Sequence, residues 1–411
     1  MIDTLGAKCT GCEACVSVCP KGCISMQMDY NGFMYPSINY ETCINCGSCD
    51  RICPSINRNE CNTPLETFVG YNQNEQLRKQ SSSGGIFALL AERTIAAKGV
   101  VFGAKLEKDL LSVTTDYCEN TNDLMPFLES KYVQSRINQS YEKAKRFLND
   151  GREVLFTGTP CQISALKRFL GKDFSNLTTV DVVCHGVPSP GIWEKYVRSW
   201  KNALSHSLTT SLSRQQQEIL QDCTLEKVSF RSKDQGWKNY GLAHFVSKNN
   251  STQKIVLLDQ RYDNPFMKSF LYDLTLRDSC YDCPVKSFRS QSDITLGDAW
   301  CIGKYHPEWD DDGGTSVIFA NTEKGKKAIK SLTSIKITAI DKNLIYRHNP
   351  AIHTSPKRPS RKRNKFFNEI KKGKPILYAI DKCLPPPTYL DKIIWSINNR
   401  LKHISKRIKE L

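Results

Sequence analysis

Two runs of closely spaced cysteines near the start of the chain place the strongest constraint on what it can fold into. Each run reads C-x2-C-x2-C-x3-C-P, the first from Cys9 to Pro20 and the second from Cys43 to Pro54. Three thiolates on one short loop can bind three irons of a cube, and the fourth iron then needs a sulfur from farther away. The repeat therefore predicts two four-iron clusters that exchange their fourth ligands.

In proteins with two such clusters, the last cysteine of each run binds the cluster of the other run. Cluster site 1 is predicted to comprise Cys9, Cys12, Cys15 and Cys53, and cluster site 2 to comprise Cys43, Cys46, Cys49 and Cys19. Structural zinc also accepts four thiolates, but zinc sites usually pair two separate C-x2-C knuckles, which this spacing does not provide. We interpret residues 1–60 as an α+β ferredoxin-like domain with two [4Fe-4S] clusters.

The length and composition of the chain allow further domains. Its 411 residues are 39% hydrophobic, enough for ordinary buried cores. The sequence contains no apolar run of about 18 residues and does not begin with a secretory pattern. We therefore expect a cytoplasmic protein, in which most of the 18 cysteines serve metal or redox chemistry rather than disulfides.

The net charge of +16 is concentrated at the C-terminal end. Residues 356–411 hold sixteen Lys or Arg and only four Asp or Glu, whereas the first 64 residues hold four and six. Because the excess lies in a tail and no nucleic-acid-binding module is recognisable, nucleic acid is not a predicted partner.

The predicted tail, residues 346–411, ends in a basic amphipathic helix. Its apolar residues follow helical spacing, namely Leu390, Ile393, Ile394, Ile397, Leu401, Ile404, Ile408 and Leu411. Two uses stay open: packing on the protein's own core or on a partner, and peripheral contact with an anionic membrane surface.

Between these ends, strand-like and helix-like segments alternate. "VVFGAKL", "EVLFTGTP" and "LTTVDVVCHG" have the composition of strands, and "SYEKAKRFLNDG" and "CQISALKRFLG" have the periodicity of helices. The alternation predicts an α/β domain with a mixed, largely parallel sheet. We divide it into an N-terminal part, residues 65–150, and a C-terminal part, residues 151–345. Ligand sites in such sheets lie at the carboxyl ends of the strands.

A second group of cysteines lies in this α/β region. Cys161 follows a predicted strand, Cys184 ends another, and Cys280 and Cys283 form a C-x2-C-P knuckle. These four thiols could converge on a third four-thiolate site. From the residues alone, the alternative is that Cys161 and Cys184 are ordinary small buried residues.

Seven short motifs, taken together and in order, resemble one family. They are "SSSGGIFALL", "ESKYVQS", "LFTGTPCQISALKRFL", "VDVVCHGVPSP", "VSFRSKDQGW", "CYDCP" and "DITLGDAW". This combination, from about Phe68 to Ile318, resembles the coenzyme F-420 hydrogenase/dehydrogenase beta-subunit family, here fused to a two-cluster ferredoxin module. The resemblance implies a cytoplasmic oxidoreductase in which a flavin, usually FAD, lies beside an iron–sulfur cluster. It also implies that Cys161, Cys184, Cys280 and Cys283 form a cluster site 3.

The same resemblance nominates residues that contact the flavin or an anionic substrate. They are Ser82, Ser83, Gly84, Gly85, Lys131, Gly158, Thr159, Arg231 and Asp298. On sequence alone, the Ser/Gly run also fits a simple helix cap, and the charged residues also fit a solvated surface. No G-x-G-x-x-G follows a strand, so a standard dinucleotide-binding unit is not predicted. His185, next to Cys184, is the predicted catalytic proton carrier, although a hydrogen-bonded structural histidine fits as well.

These predictions converge on an iron–sulfur flavoprotein oxidoreductase. Electrons would pass between the ferredoxin-type clusters and a flavin that exchanges two electrons with a small substrate, either the deazaflavin coenzyme or another organic acceptor. A redox partner protein or a ferredoxin would supply or accept single electrons. The alternative is an electron-relay subunit of a larger redox complex, with no substrate of its own.

Overall fold

The computed structural model describes residues 2–206, 220, 222–249 and 254–385. The chain forms two compact units, Met1–Pro359 and Ser360–Leu411. Among the described residues, no helix is both long and apolar enough to cross a membrane. The amphipathic helix predicted from Leu390 onwards lies outside the described residues.

The strands of the first unit are β1 (Ile24–Met28), β2 (Met34–Ile38), β3 (Glu66–Asn72), β4 (Val100–Leu106), β5 (Val113–Cys118), β6 (Val154–Gly158), β7 (Leu177–Val182), β8 (Cys223–Ser232), β9 (Gly241–Lys248), β10 (Lys254–Gln260), β11 (Ile294–Asp298), β12 (Ser316–Ala320) and β13 (Ile335–Ala339). Its α-helices are α1 (Ala14–Val18), α2 (Ser48–Arg51), α3 (Glu75–Gln80), α4 (Ile86–Ala96), α5 (Ser140–Asn149), α6 (Pro160–Leu170), α7 (Pro190–His206), α8 (Pro265–Leu271), α9 (Ile302–Tyr305), α10 (Glu323–Lys330) and α11 (Lys342–His348). The second unit contains α12 (Ser360–Lys371) and α13 (Ile376–Cys383).

The duplicated cysteine pattern produces a duplicated loop and helix. The residue after the second cysteine of each run adopts a left-handed conformation, with φ of 60° at Glu13 and 68° at Gly47. The short helices α1 and α2 begin directly after these turns, and each carries the third cysteine of its run. Between the two runs, β1 and β2 form an antiparallel hairpin.

The central sheet has eight strands in the order β13-β3-β12-β11-β7-β6-β4-β5. Parallel pairing joins β4 to β6, β6 to β7 and β7 to β11, whereas the four other pairings are antiparallel. The predicted mixed sheet is therefore confirmed, but its description as largely parallel is wrong. The physical reason is that β5 turns straight back along β4, and β3 and β12 add antiparallel neighbours on the opposite side.

The parallel strands bring distant parts of the sequence to one edge of the sheet. Strand β6 leads into Thr159 and Cys161, β7 leads into Cys184 and His185, and β11 ends at Asp298. Because β6, β7 and β11 are parallel and adjacent, all of these residues lie at their shared carboxyl edge. The remaining strands, β8, β9 and β10, form a separate antiparallel sheet.

The entry to α6 follows directly from its sequence. Thr159 occupies the N-cap position, and its backbone N–H donates to Gln162 Oε1 at 3.0 Å. Pro160 fits the first helical position, where no N–H is needed. Gly171, with φ of 69°, ends the helix. These contacts fix the first turn of α6 and with it the position of Cys161.

The backbone of the β1–β2 hairpin packs directly against the backbone at the start of α7. Gly191 N donates to Gly32 O at 3.1 Å, and Ser189 Oγ donates to Asn31 O at 2.6 Å. A Cβ atom at Gly32 would lie 2.6 Å from Gly191 Cα, and Gly32 has a φ of +81°. The contact therefore requires glycine at this turn.

We expect Gly32→Ala to lower the free energy of unfolding by about 2 kcal/mol or more, because backbone strain and a steric clash both act. Gly22→Ala is the matched control, since Gly22 also has a positive φ of +59°, but a Cβ atom added there would have no neighbouring atom within 4 Å. Strain alone should cost the control variant about 1 kcal/mol. Urea denaturation of the anaerobically purified proteins measures both losses, and equal losses would contradict the importance of this contact.

Candidate functional site

One cavity of the N-terminal domain is lined by the four cysteines predicted for cluster site 2. These are Cys19, Cys43, Cys46 and Cys49. Cys46 is exposed, and the neighbouring Ile44 is 57% exposed. Cys23, which lies outside the repeat, also lines this cavity, with its Sγ 3.3 Å from Cys19 Sγ. Site 2 is therefore open to the protein surface.

The cysteines predicted for cluster site 1 are mutual neighbours. Burial raises the pKa of the Cys15 thiol, and the nearby thiols of Cys12, Cys9 and Cys53 raise it further, because each would be a like charge. Burial likewise raises the pKa of Cys53, with Cys9 adding to the rise. The last cysteine of the second run thus lies among the first three of the first run, and the exchange of ligands itself stays a prediction.

A second cavity is lined by the four cysteines predicted for cluster site 3. Cys161, Cys184, Cys280 and Cys283 come from three separate segments of the chain, and all four line this one cavity. Burial raises the pKa of Cys161, Cys184 and Cys280 to about 12 each. Apolar side chains, including Val285 and Phe288, complete the lining.

Site 1 lies directly beside site 3. Burial raises the pKa of the Cys12 thiol. Among the neighbouring thiols, that of Cys161 raises this pKa the most. Thr10, in the first cysteine loop, lines the site 3 cavity itself. Tyr141 Oη lies 3.1 Å from Cys12 O and 3.0 Å from Gln162 O, so it links the cysteine loop to α6.

A buried polar network holds the first cysteine loop against the α/β region. Gln134 Nε2 donates to Thr10 O at 2.9 Å, and Arg277 Nε donates to Cys9 O at 2.6 Å. Glu13 pairs with Arg136. A Cβ atom at Gly11 would lie 2.5 Å from Gln134 Nε2, so the loop has no room for a larger residue there.

The donor chemistry of all three sites fits iron–sulfur clusters, because each site offers four thiols and a cluster takes four. In the part of the chain that the structure describes, no three His, Cys, Asp or Glu side chains converge closely enough to hold a single metal ion. The thiols instead surround spaces larger than one ion, in cavities at sites 2 and 3.

His185 lies at the rim of the site 3 cavity and already has a partner. Its Nε2 atom is 2.5 Å from Asp273 Oδ1, and its ring packs edge-on against Phe270. The side chain is 40% exposed. A carboxylate on one ring nitrogen orients the imidazole and leaves the other nitrogen available. Asp273 was missed by the sequence analysis, because it belongs to no recognisable motif.

Arg231 and Asp298 form an ion pair beside the carboxyl edge of the sheet. Arg231 Nη1 donates to Asp298 Oδ2 at 2.8 Å, and Trp237 Nε1 donates to Asp298 Oδ1 at 3.2 Å. Arg231 is only 5% exposed, yet its Nε and Nη2 groups have no hydrogen-bond partner among the described residues. Unpartnered N–H groups on a buried cation are costly, so this position suits an anionic ligand.

Aromatic rings surround this guanidinium. Arg231 lies over Tyr240, with 4.4 Å from its Cζ atom to the ring centre, and within 5.4 Å of the Trp300 ring centre. Trp300 stacks on Trp237 at 4.6 Å and is 40% exposed. Tyr132, next to the predicted Lys131, is a further neighbour of Arg231. A flat aromatic surface thus adjoins the free N–H groups, which suits a planar, negatively charged ligand.

The predicted Ser/Gly loop lies near this group, but most of its polar atoms are already used. Ser82 Oγ accepts from Ser130 N at 2.7 Å, and Gly84 N donates to Ser316 Oγ at 2.9 Å. A Cβ atom at Gly84 would lie 2.6 Å from Gly70 O, and Gly85 has a φ of +78°. Close packing of the loop against β3 and β12 therefore already explains both glycines.

Two lysines complete this neighbourhood. Lys233 Nζ donates to Ser83 O at 3.0 Å, so it joins the Ser/Gly loop to β8. Burial, with Arg231 and Arg78 nearby, lowers the pKa of Lys233 to about 7. Burial also lowers the pKa of Lys131 to about 7, and its Nζ donates to Pro126 O at 2.5 Å. Gly158 and Thr159 lie at the site 3 edge of the sheet, where Thr159 Oγ1 is 3.2 Å from Cys161 Sγ.

Comparison with known proteins identifies two segments of the chain. A family model for the C terminus of the beta subunit of coenzyme F420 hydrogenase/dehydrogenase matches residues 151–343. A 4Fe-4S dicluster domain model matches residues 8–57. An uncharacterized ferredoxin from Methanocaldococcus jannaschii is 44% identical over 48 residues, which are 12% of this chain, and the chain spans 61% of the length of that ferredoxin.

A solved structure also resembles the chain at low similarity. It is a xenon-derivatized F420-reducing [NiFe] hydrogenase complex from Methanosarcina barkeri, with a TM-score of 0.44 and 13% sequence identity. The alignment covers 71% of this chain and 89% of the compared chain. The chain thus combines a segment similar to a 4Fe-4S dicluster domain with a later segment similar to the C-terminal region of the coenzyme F420 hydrogenase/dehydrogenase beta subunit.

Proposed function

We propose that this protein is an iron–sulfur flavoprotein oxidoreductase that passes electrons between its ferredoxin-type clusters and a flavin acting on a small two-electron substrate. The observation that carries the proposal is the cavity of site 3. Four cysteines from three distant segments line it, and the Cys161 thiol is a neighbour of Cys12 in site 1. Such convergence favours a third four-thiolate cluster next to the ferredoxin module.

The three cysteine sets differ in how close they lie to the protein surface. Site 2, with its exposed Cys46, offers a place where a redox partner protein or a ferredoxin can approach. In this proposal Cys53 of the second run binds at site 1 and Cys19 of the first run binds at site 2. Site 1 also lies next to site 3. Clusters carry single electrons and a flavin exchanges pairs, so the combination converts between the two kinds of carrier.

The residues at the carboxyl edge supply binding and proton handling. Arg231 is proposed to hold an anionic group of the flavin, preferably FAD, through its two unpartnered N–H groups. The Ser/Gly loop, with Lys131 and Lys233, is proposed to lie along the same ligand. His185, oriented by Asp273, is proposed to hold the proton that two-electron chemistry must move.

The composition of the purified protein tests this proposal. We expect anaerobically purified protein to contain about twelve irons and about one flavin per chain, because three cubanes accompany one flavin. Iron, sulfide, zinc and flavin are quantified on the same sample. About eight irons without flavin would instead support the electron-relay subunit, and four-thiolate zinc would give a colourless protein. With twelve irons and a flavin established, a screen of two-electron acceptors, including the deazaflavin coenzyme, identifies the substrate.

A further inference from the structure

Arg277 is a fully buried cation whose hydrogen bonds all end on neutral oxygens. It is 0% exposed. Its Nε donates to Cys9 O at 2.6 Å, Nη1 to Gln134 Oε1 at 3.0 Å and Nη2 to Met34 O at 2.8 Å. Its guanidinium also lies 4.4 Å from the ring centre of Tyr35. These contacts satisfy the geometry of the side chain, but none of them is with a carboxylate.

No ion pair joins Arg277 to any residue that the structure describes. The adjacent carboxylate, Asp278, instead pairs with Arg358 at 3.2 Å. A buried charge without an anionic partner is strongly unfavourable in an apolar interior. The position of Arg277 therefore implies that another negative group belongs beside it.

Two proposed cluster sites adjoin Arg277. Its own hydrogen bond reaches Cys9 of site 1, and its backbone O accepts from Cys280 N of site 3 at 2.9 Å. Site 2 has a different cation beside it, Arg51, whose Nη1 donates to Cys46 O at 2.8 Å.

We propose that Arg277 is the shared counter-charge of the clusters at sites 1 and 3, and that it raises the reduction potential of both. This inference rests on the proposed function, since it needs clusters at both sites. A cubane with four thiolates is a net anion and gains a further negative charge when it is reduced. A fixed cation in a dry interior therefore favours the reduced state of each neighbouring cluster.

Lys286 provides a matched control, because it is a second buried cation that belongs to one site only. It is 9% exposed and lines the site 3 cavity. Its Nζ donates to Cys184 O and to Ala351 O, at 2.6 Å each. Arg277 should therefore act on two clusters and Lys286 on one.

Redox titrations monitored by electron paramagnetic resonance test the inference on the intact protein. We expect Arg277→Gln to lower the midpoint potentials of clusters 1 and 3 by about 59 mV or more, which is a tenfold change in each reduction equilibrium. Arg277→Lys, which keeps the charge, should restore most of both potentials. Lys286→Gln should lower the potential of cluster 3 alone, and no variant should move cluster 2. A Cys161→Ala sample, which lacks cluster 3, assigns the signals.

If Arg277→Gln does not assemble its clusters, Gln134→Glu replaces it, because the new carboxylate lies beside Arg277 and offsets its charge. Gln134→Leu is its control, since both variants lose the hydrogen bonds to Thr10 O and Gly11 O but only one adds a charge. Unchanged potentials in a fully loaded variant, or an equal shift of all three clusters, would overturn the inference. A wild-type iron content below about twelve would instead overturn the proposed function. The two failures are therefore distinguishable.

Discussion

Replacing Cys161 with alanine is expected to remove about four of the twelve irons and to stop reduction of the flavin through the clusters. Cys161 is one of four thiols around the site 3 cavity and the one that neighbours Cys12. Without it, site 3 loses its connection to the ferredoxin module. Sites 1 and 2 use none of its atoms, so their eight irons should remain.

Two measurements on the same sample check this result. Iron quantitation counts the clusters, and anaerobic stopped-flow absorbance follows the flavin when a reduced ferredoxin supplies the electrons. Cys118→Ala is the matched control, since Cys118 is another free cysteine of the same sheet region, 4% exposed, but lies on the edge strand β5. The control variant should keep all irons and normal flavin reduction. Flavin reduction at the wild-type rate in Cys161→Ala would remove site 3 from the proposed route.

The candidate cluster ligands of the N-terminal segment could be named from the sequence because iron–sulfur ligation uses local spacing. The predicted crossing of Cys19 and Cys53 follows from a repeat with fixed spacing; in the structure Cys19 lines the site 2 cavity and Cys53 lies near Cys9. The convergence of Cys161 and Cys184 could not be predicted from spacing, since it depends on which strands are neighbours. The resemblance to a family supplied that information.

Other features could not be predicted from the sequence, because contacts between distant residues produce them. Arg277 donates to two backbone carbonyls and one side chain from three separate segments of the chain, and no short motif encodes these contacts. The antiparallel pairing of β3 with β12 and β13 joins residues far apart in the chain, and short apolar strands do not record the direction of their partners. The role of the Ser/Gly loop could not be predicted for a different reason, because the same residues fit both close packing and ligand binding.

Replacing Arg231 with methionine is expected to lower the affinity for the flavin by about 10- to 150-fold. The substitution removes two charge-assisted hydrogen bonds, and such a bond contributes about 1.5–3 kcal/mol. We take the net loss of binding free energy as that of one bond, which gives this range of affinities. Purified Arg231→Met should therefore contain much less flavin than the wild-type protein but the same amount of iron. Flavin content and a titration with added FAD measure the effect.

Arg261→Met is the matched control, because Arg261 also lies over the Tyr240 ring, at 4.8 Å, but has no buried, unpartnered N–H group among the described residues. It should retain its flavin. If Arg231→Met also keeps normal flavin but loses affinity for the two-electron acceptor, the free N–H groups bind the substrate instead. If neither affinity changes, the guanidinium is not an anion site, and its unpartnered groups would need water as their ligand.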